Sequence, residues 1–437
     1  MTFLFLYIKP SRNKLKIKNI MPESKVSPTF FVIAIVMCFF MTFLFSITVS
    51  RLVLLIPFVS YDNDLSTVGR DFAITLIISL VVPHIFVFST FVIFGCDFVF
   101  KSKWFRIINL YSSTIDLCIF NLIPFSLIYD VINIVLISTK LFGSSLFRND
   151  LYHRGKFISF ITGNYMPNNY RITIFCLIIL CSILFDIYSL WQGHRLPFKH
   201  ITLTSPKVSK EVQFVHISDV HIGSRFLSHS QHIVKKILPL HPDFIVLTGD
   251  LTDSPNVQTE ELMPFKALTN ECPVYMSTGN HDYMTGIQHL LVMLNSCGIT
   301  LLQNRMSIEE KYNCAIIGTD DSNTEEEYVE EMNMVSQLPS SETYNIILQH
   351  RPFGYKQTCE KGIFDLMLCG HTHVGQFAPF SVIVYLFFKK AYGLYTIKSN
   401  RNRMYLYTHP GTGAWSAHMR SAGTNDITIF HIKPLEN

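Results

Sequence analysis

Val212-Gln-Phe-Val-His-Ile-Ser-Asp219-Val-His221 is an apolar run that stops on an aspartate and a histidine, and four later runs end in the same way. Phe244 to Thr248 leads to Gly249-Asp250, and Val274 to Thr278 leads to Gly279-Asn280-His281-Asp282. Asn345 to Leu348 leads to Gln349-His350, and Leu366 to Cys369 leads to Gly370-His371-Thr372-His373. Short runs rich in β-branched and aromatic residues predict strands. Cys314 to Gly318, Met404 to Tyr407 and Ile427 to Ile432 read the same way, while Ser230 to Leu240, Gln258 to Leu268, Ile287 to Asn295 and Glu325 to Gln337 carry helical patterns. Such alternation predicts an α/β domain whose strand-end loops gather into one crevice.

The residue types in those loops suit divalent cations. Carboxylate oxygen and imidazole nitrogen hold borderline metals, the amide oxygen of Asn280 adds a neutral ligand, and a carboxylate such as Asp250 can touch two ions. Two cations about 4 Å apart clamp a phosphate and lower the pKa of a bound water. His281, beside Asn280, is placed to protonate a departing oxygen. Gly249, Gly279 and Gly370 let the backbone turn sharply beneath the ions. Each motif alone is a common accident; their joint occurrence, in order and each at a strand end, carries the reading.

Other polar features are assigned to structure. His229, His232, His241, His289 and His418 are expected at the surface or in packing, with His409 nearer the site because it follows a strand and precedes Pro410-Gly411-Thr412-Gly413. That glycine turn lacks the lysine and hydroxyl residue of a nucleotide loop. The acidic residues Glu325 to Glu327, Glu330 and Glu331 read as a solvated helix face.

The 437 residues are only 16% charged, with a net charge of +4 and a mean hydropathy of +0.29, which is too apolar for an ordinary soluble chain. Phe30 to Ser50 and Phe72 to Cys96 contain no Asp, Glu, Lys or Arg, and a crossing helix needs about 20 apolar residues. Ile172 to Trp191 is a further span broken only by Asp186, and Ile107 to Thr139, interrupted by Asp116 and Asp130, is either one tilted helix or a hairpin. The expectation is four or five transmembrane helices over residues 30–191. A basic cytoplasmic segment, residues 1–29, precedes them with Met1 retained, because the early basic run follows the first apolar residues where a secretory signal would have it precede them. A linker, residues 192–211, and a catalytic domain, residues 212–437, follow. The basic loop Lys140 to Arg171 favours a domain outside the cytoplasm, whereas a single crossing at Ile107 to Thr139 places it inside. Both topologies stay open. The small net charge and absence of a basic stripe argue against nucleic acid, and ten scattered cysteines without a C-x-x-C pair give no disulfide framework or cysteine zinc site.

The order D-x-H, G-D-x-x-D, G-N-H-D, a later His and G-H-x-H, from Asp219 to His373, resembles the calcineurin-like metallophosphoesterase superfamily. The resemblance implies a β-sandwich flanked by helices and two divalent metals of the manganese, iron or zinc kind. One would be held by Asp219, His221, Asp250 and His373, the other by Asp250, Asn280, His350 and His371. It further implies that His281 is the proton donor with Asp253 as its orienting partner, and that a metal-bridging hydroxide attacks phosphorus. Gly370-His-Thr-His-Val-Gly-Gln376, Tyr392-Gly-Leu-Tyr395 and the late glycine turn resemble the membrane-associated branch, in which a glycine often stands in place of Val374.

Phe377 to Lys390 is an apolar insertion ending in Lys389-Lys390. It reads either as a buried strand or as a membrane-contacting surface, and the latter implies a lipid-borne phosphoester substrate. The competing classes are a membrane receptor, scaffold or transporter with structural metals, and a nucleic-acid phosphodiesterase.

Overall fold

The computed structural model describes residues 103–122, 124–125, 128–129, 131, 168–378, 380–399 and 402–435. The expected spans Phe30 to Ser50 and Phe72 to Cys96, residues 123, 126, 127, 130 and 132–139 of the stretch Ile107 to Thr139, and most of the loop Lys140 to Arg171 lie outside the described residues. Two long helices precede the first sheet: α1, Lys103–Phe120, and α2, Asn168–His194. Among the described residues, Ile172–His194 is the one helix long and apolar enough to cross a membrane. Residues 111–188 belong to a first unit, in which Asn121 Nδ2 donates to Asp186 Oδ1 at 2.6 Å and the Phe125 and Phe185 rings meet edge to face at 5.8 Å. Asp186, within an otherwise apolar helix, thereby has a hydrogen-bond donor.

The second unit includes the first turns of α1, the last turns of α2 and everything beyond. One six-stranded sheet has the order β1-β12-β2-β3-β4-β5, with β1 Phe198–Ser205, β2 Val212–Ile217, β3 Phe244–Thr248, β4 Val274–Ser277, β5 Thr300–Leu301 and β12 Ile427–Pro434. The other runs β10-β11-β9-β8-β7-β6, with β6 Arg305–Glu309, β7 Cys314–Gly318, β8 Tyr344–Leu348, β9 Leu366–Cys369, β10 Gly393–Ser399 and β11 Asn402–Thr408. The ligand-bearing strands β2, β3 and β4 pair in parallel, as do β8 and β9. Their carboxyl ends point the same way, which brings the motif loops together.

Side chains alternate across each strand. Phe214, Phe244, Val246, Ile316, Ile346, Leu368, Tyr407 and Phe430 form one core cluster shared by the two sheets. Their neighbours on the opposite faces pack under helices: Val215, Ile217, Ile245 and Leu247 meet residues of α3, Leu227–Ile237, and α5, Ile287–Cys297, while Ile317, Ile347 and Met367 meet α6, Glu325–Val335, and α7, Tyr355–Glu360. Between β4 and α5 lies the short helix α4, Asn280–Thr285.

Three expectations change. The stretch Gln192 to Glu211, read as a linker, carries β1, which pairs in parallel with β12 over its whole length. Its alternating burial leaves half of its side chains exposed, the pattern of an edge strand. Gln258 to Leu268 is not one helix but two short turns, Thr259–Leu262 and Lys266–Thr269, separated by a tighter turn containing Pro264. The insertion, whose buried alternative was a strand, is a helix, α8, Phe380–Phe387. The first turns of α1 are held to this unit by Arg106, which donates to both oxygens of Glu261 at 2.7 and 3.0 Å.

Candidate metal centre

Asp219, His221 and His373 bring one ligand atom each within 4.8 Å of one another, and so do Asp250, His350 and His371. His221, Asp250 and His281 form a third such group that joins the two. In the first, His221 Nε2 lies 2.9 Å from His373 Nε2, which is 3.3 Å from Asp219 Oδ1. In the second, His350 Nε2 lies 3.2 Å from His371 Nδ1 and 3.1 Å from Asp250 Oδ2. Asp250 Oδ2 is also 4.0 Å from His221 Nε2. Ligand atoms about 3 Å apart are what bonds of about 2.0–2.2 Å to a shared cation require.

The surroundings fix which ring nitrogens face inward. His350 Nδ1 is 2.7 Å from the carbonyl of Thr248, an acceptor, so a proton sits there and Nε2 is the nitrogen turned toward the site. His221 Nδ1 lies 3.2 Å from Asp253 Oδ2, with the same consequence. Asp250 is held through Oδ1 by the backbone N–H of His281 at 2.8 Å, which turns Oδ2 toward both clusters. Asp219 accepts from the backbone N–H of His371 at 3.0 Å and from Ser218 Oγ at 2.5 Å. The half-buried Asn280 sits at the start of α4, and its Oδ1 has no hydrogen-bond partner. An orphaned amide oxygen beside two Asp/His clusters fits a cation, as does a donor set of oxygen and imidazole nitrogen.

Electrostatics agree with that fit. Burial works against charge on His350, yet Asp250, then Asp219 and Asp321, push it up to about 10. Burial likewise opposes the carboxylate of Asp250, which His350 and His281 nonetheless hold well below its usual range. Asp282 is pushed up to about 7, first by burial and then by Asp250. The site is short of positive charge.

The backbone is forced as well. Asp219, His221, Asp250, His371 and His373 all take positive φ, between 49° and 72°, a region that non-glycine residues rarely enter. Val374 joins them at φ 55° and ψ 22°, so the left-handed conformation that glycine adopts freely is imposed here on a β-branched side chain. Gly370 answers a different demand: a Cβ there would lie 2.0 Å from Ser218 Oγ and 2.3 Å from Asp219 Oδ2.

Asp253, expected to orient His281, instead faces His221 and accepts from Ser224 N–H and Oγ at 2.8 and 2.6 Å. Its spacing on the loop after β3 puts it behind the neighbouring cluster. His281 is buried, with its ring against His221 and Trp415 at 4.8 and 5.6 Å between centroids. His409 is buried, accepting from Gly411 N–H at 2.9 Å and pairing with Asp426 at 3.0 Å. Sequence reasoning gave no role to Asp282, which accepts from the backbone N–H groups of Asp250, Gly279 and Thr252 and so ties the second motif to the third. It also passed over the buried Arg420, which donates to the carbonyl of His373 at 2.9 Å, and Arg351, bonded to both oxygens of Asp321 at 3.0 Å. An isolated arginine far from the motifs leaves no signal in spacing. Glu331, read as part of a solvated face, turns inward with one carboxylate oxygen buried and unpartnered.

Residues 212–375 match the family model for calcineurin-like phosphoesterases. A metallophosphoesterase of Helicobacter pylori (strain J99) is 26% identical over 252 residues, covering 56% of this chain and 67% of that protein. The transmembrane protein with metallophosphoesterase domain of Danio rerio is 31% identical over 242 residues, covering 52% of this chain and 54% of its own length. The crystal structure of TT1561 from Thermus thermophilus aligns with 46% of this chain and 89% of its own at 11% identity and a TM-score of 0.32. The chain thus spans about half the length of the zebrafish relative. Residues 212–375 thus form a calcineurin-like phosphoesterase domain, which supports metal-dependent phosphoester hydrolysis.

Proposed function

We propose that the chain is a membrane-anchored phosphoesterase working with two divalent cations, one held by Asp219, His221, Asp250 and His373, the other by Asp250, Asn280, His350 and His371. The observation that carries this reading is the placement of Asp250 Oδ2, 3.1 Å from His350 and 4.0 Å from His221, between the two clusters. When bound, such cations clamp phosphoryl oxygens and acidify the attacking water. Asp253 and the Thr248 carbonyl keep His221 and His350 in the tautomers that bind metal. His281 holds a proton for the leaving oxygen, positioned by its own backbone bond to Asp250. Residues 30–191 supply the membrane anchor as four or five crossings, of which α2 is one, and the substrate is a phosphoester borne by a lipid.

The test uses the full-length chain in detergent with an aryl phosphate diester. Manganese-dependent turnover that chelation abolishes is expected. Bound metal without turnover would replace the enzyme by a scaffold.

A further inference from the structure

The helix α8 exposes apolar side chains in a place where the chain itself brings a bilayer close. Val382, Tyr385, Leu386 and Phe387 are 62%, 46%, 76% and 55% exposed. Val382, Tyr385 and Leu386 are spaced three and four apart and share one helix face. No charge interrupts Phe380–Phe387, and Lys389 and Lys390 follow after Phe388. A patch of this kind on a soluble surface is a liability unless something covers it.

What covers it follows from the connections at each end. The membrane-candidate helix α2 ends at His194 and β1 begins at Phe198, so three residues separate them. At about 3.5 Å per residue this tether keeps the catalytic unit within roughly 14 Å of the end of α2. The last turns of α2 are also bonded into that unit: Ser189 accepts from the backbone of Arg420 at 2.8 Å, and the Gly193 carbonyl accepts from Arg225 and Asn425 at 2.7 and 2.8 Å. The next residue, Ser421, bonds the carbonyl of Gln376 at 3.0 Å and, through Oγ, accepts from Ala378 N–H at 2.9 Å. Ala378 stands two residues before α8. A short run of hydrogen bonds thus links the end of the membrane helix to the start of the apolar helix. At the other end, the Phe388 ring lies 5.5 Å from that of His371, at the rim of the metal centre, and 5.7 Å from Phe353.

We propose that α8 lies in the interfacial layer of the bilayer that holds α2, with Lys389 and Lys390 toward anionic headgroups, and that amphiphilic phosphoesters reach the metal centre along it past Phe388. An uncharged helix flanked by lysines binds such a surface through buried apolar area and charge attraction together. The docking stands on the placement of α8; the route for substrate rests also on the phosphoesterase reading.

Two measurements on the full-length chain in vesicles containing anionic lipid separate these. In the first, Leu386→Trp is compared with Val292→Trp, on the exposed face of α5, in vesicles with brominated acyl chains. The Leu386→Trp emission, taken as the difference from the parent chain, is expected to be blue-shifted and quenched by the bromolipid, and the Val292→Trp emission is not. Equal behaviour of the two, or shielding of the Leu386→Trp indole from bromolipid and aqueous quencher alike, as a protein partner would give, overturns the docking. In the second, Val382→Asp with Leu386→Asp is expected to slow metal-dependent hydrolysis of a vesicle-borne phospholipid about tenfold or more while leaving a soluble aryl phosphate diester unaffected. Equal rates on the phospholipid overturn the route. Were the parent chain inactive on the soluble ester, the phosphoesterase reading would fail and the quenching result would still decide the docking.

Discussion

The candidate membrane helix α2 and the strands of the sandwich are both rich in Leu, Ile and Phe, yet they use those side chains in opposite ways. Leu177, Leu180, Ile183, Leu184 and Ile187 of α2 are exposed, whereas Val246, Ile316, Ile346 and Leu368 of the strands are buried in one core cluster. In the sandwich, apolar side chains are removed from water by protein atoms, and close packing makes every methylene count. On α2, under the proposed membrane anchoring, the same task falls to lipid, which packs around whatever it meets. Hydrophobicity alone does not say which solvent a side chain expects; periodicity and the polar residues at the ends do.

The strongest way to break the comparison is to keep the sandwich and remove what it is built to hold. Asp250→Asn retains shape and burial but removes the charge between the two clusters, and turnover of an aryl phosphate diester is expected to fall by about a thousandfold or more, roughly 4 kcal/mol. Near-normal turnover would discard Asp250 as the shared ligand. Leu368→Ala opens a cavity in the shared core and is expected to cost about 2–5 kcal/mol. Leu184→Ala on the exposed face of α2 should cost under about 1 kcal/mol, because lipid fills the space. The thermal midpoints of the two variants in detergent test that contrast, and similar shifts would mean that α2 packs against protein. Leu184→Lys, near the middle of α2, is expected to disfavour insertion by about 2.5–3.5 kcal/mol, read as loss of the chain from the membrane fraction.

The smallest effect concerns Glu331 on α6. Burial, followed by Asp320, pushes its carboxyl up to about 8. The folded chain holds this proton more tightly than the unfolded chain, so its contribution is fully present below the ordinary glutamate value and is lost as pH rises toward about 8. Glu331→Gln should therefore flatten the decline and gain about 1 kcal/mol at the upper end of that window relative to the lower end. Parallel pH profiles for the two chains would show that Glu331 is solvated after all.

Much of the site was legible because its ligands stand directly after strands that announce themselves. β2, β3, β4, β8 and β9 are buried throughout or nearly so, and such strands read as continuous apolar runs. The edge strands were not legible. β1, with the sequence Phe-Lys-His-Ile-Thr-Leu-Thr-Ser, alternates with polar residues and follows a proline, so it resembles a linker. α8 misled in the other direction, since Val382, Ile383 and Val384 favour strands by composition and form a helix here. Asp253 was recognised as a site residue, but its close contact with His221 was not legible, because nearness along the chain gives no direction to a side chain.

Sequence alone determined which residues can bind cations and that they follow strands, since chemical identity and order along the chain are local properties. The expectation of membrane spans within residues 30–191 likewise rests on sequence. The tertiary structure decided that Asp250 stands between two clusters, that Asp253 serves His221, and that Arg420 from the far end of the chain supports His373. These are relations between segments that meet only when parallel strands align their ends, and no local pattern encodes a distance across a sheet.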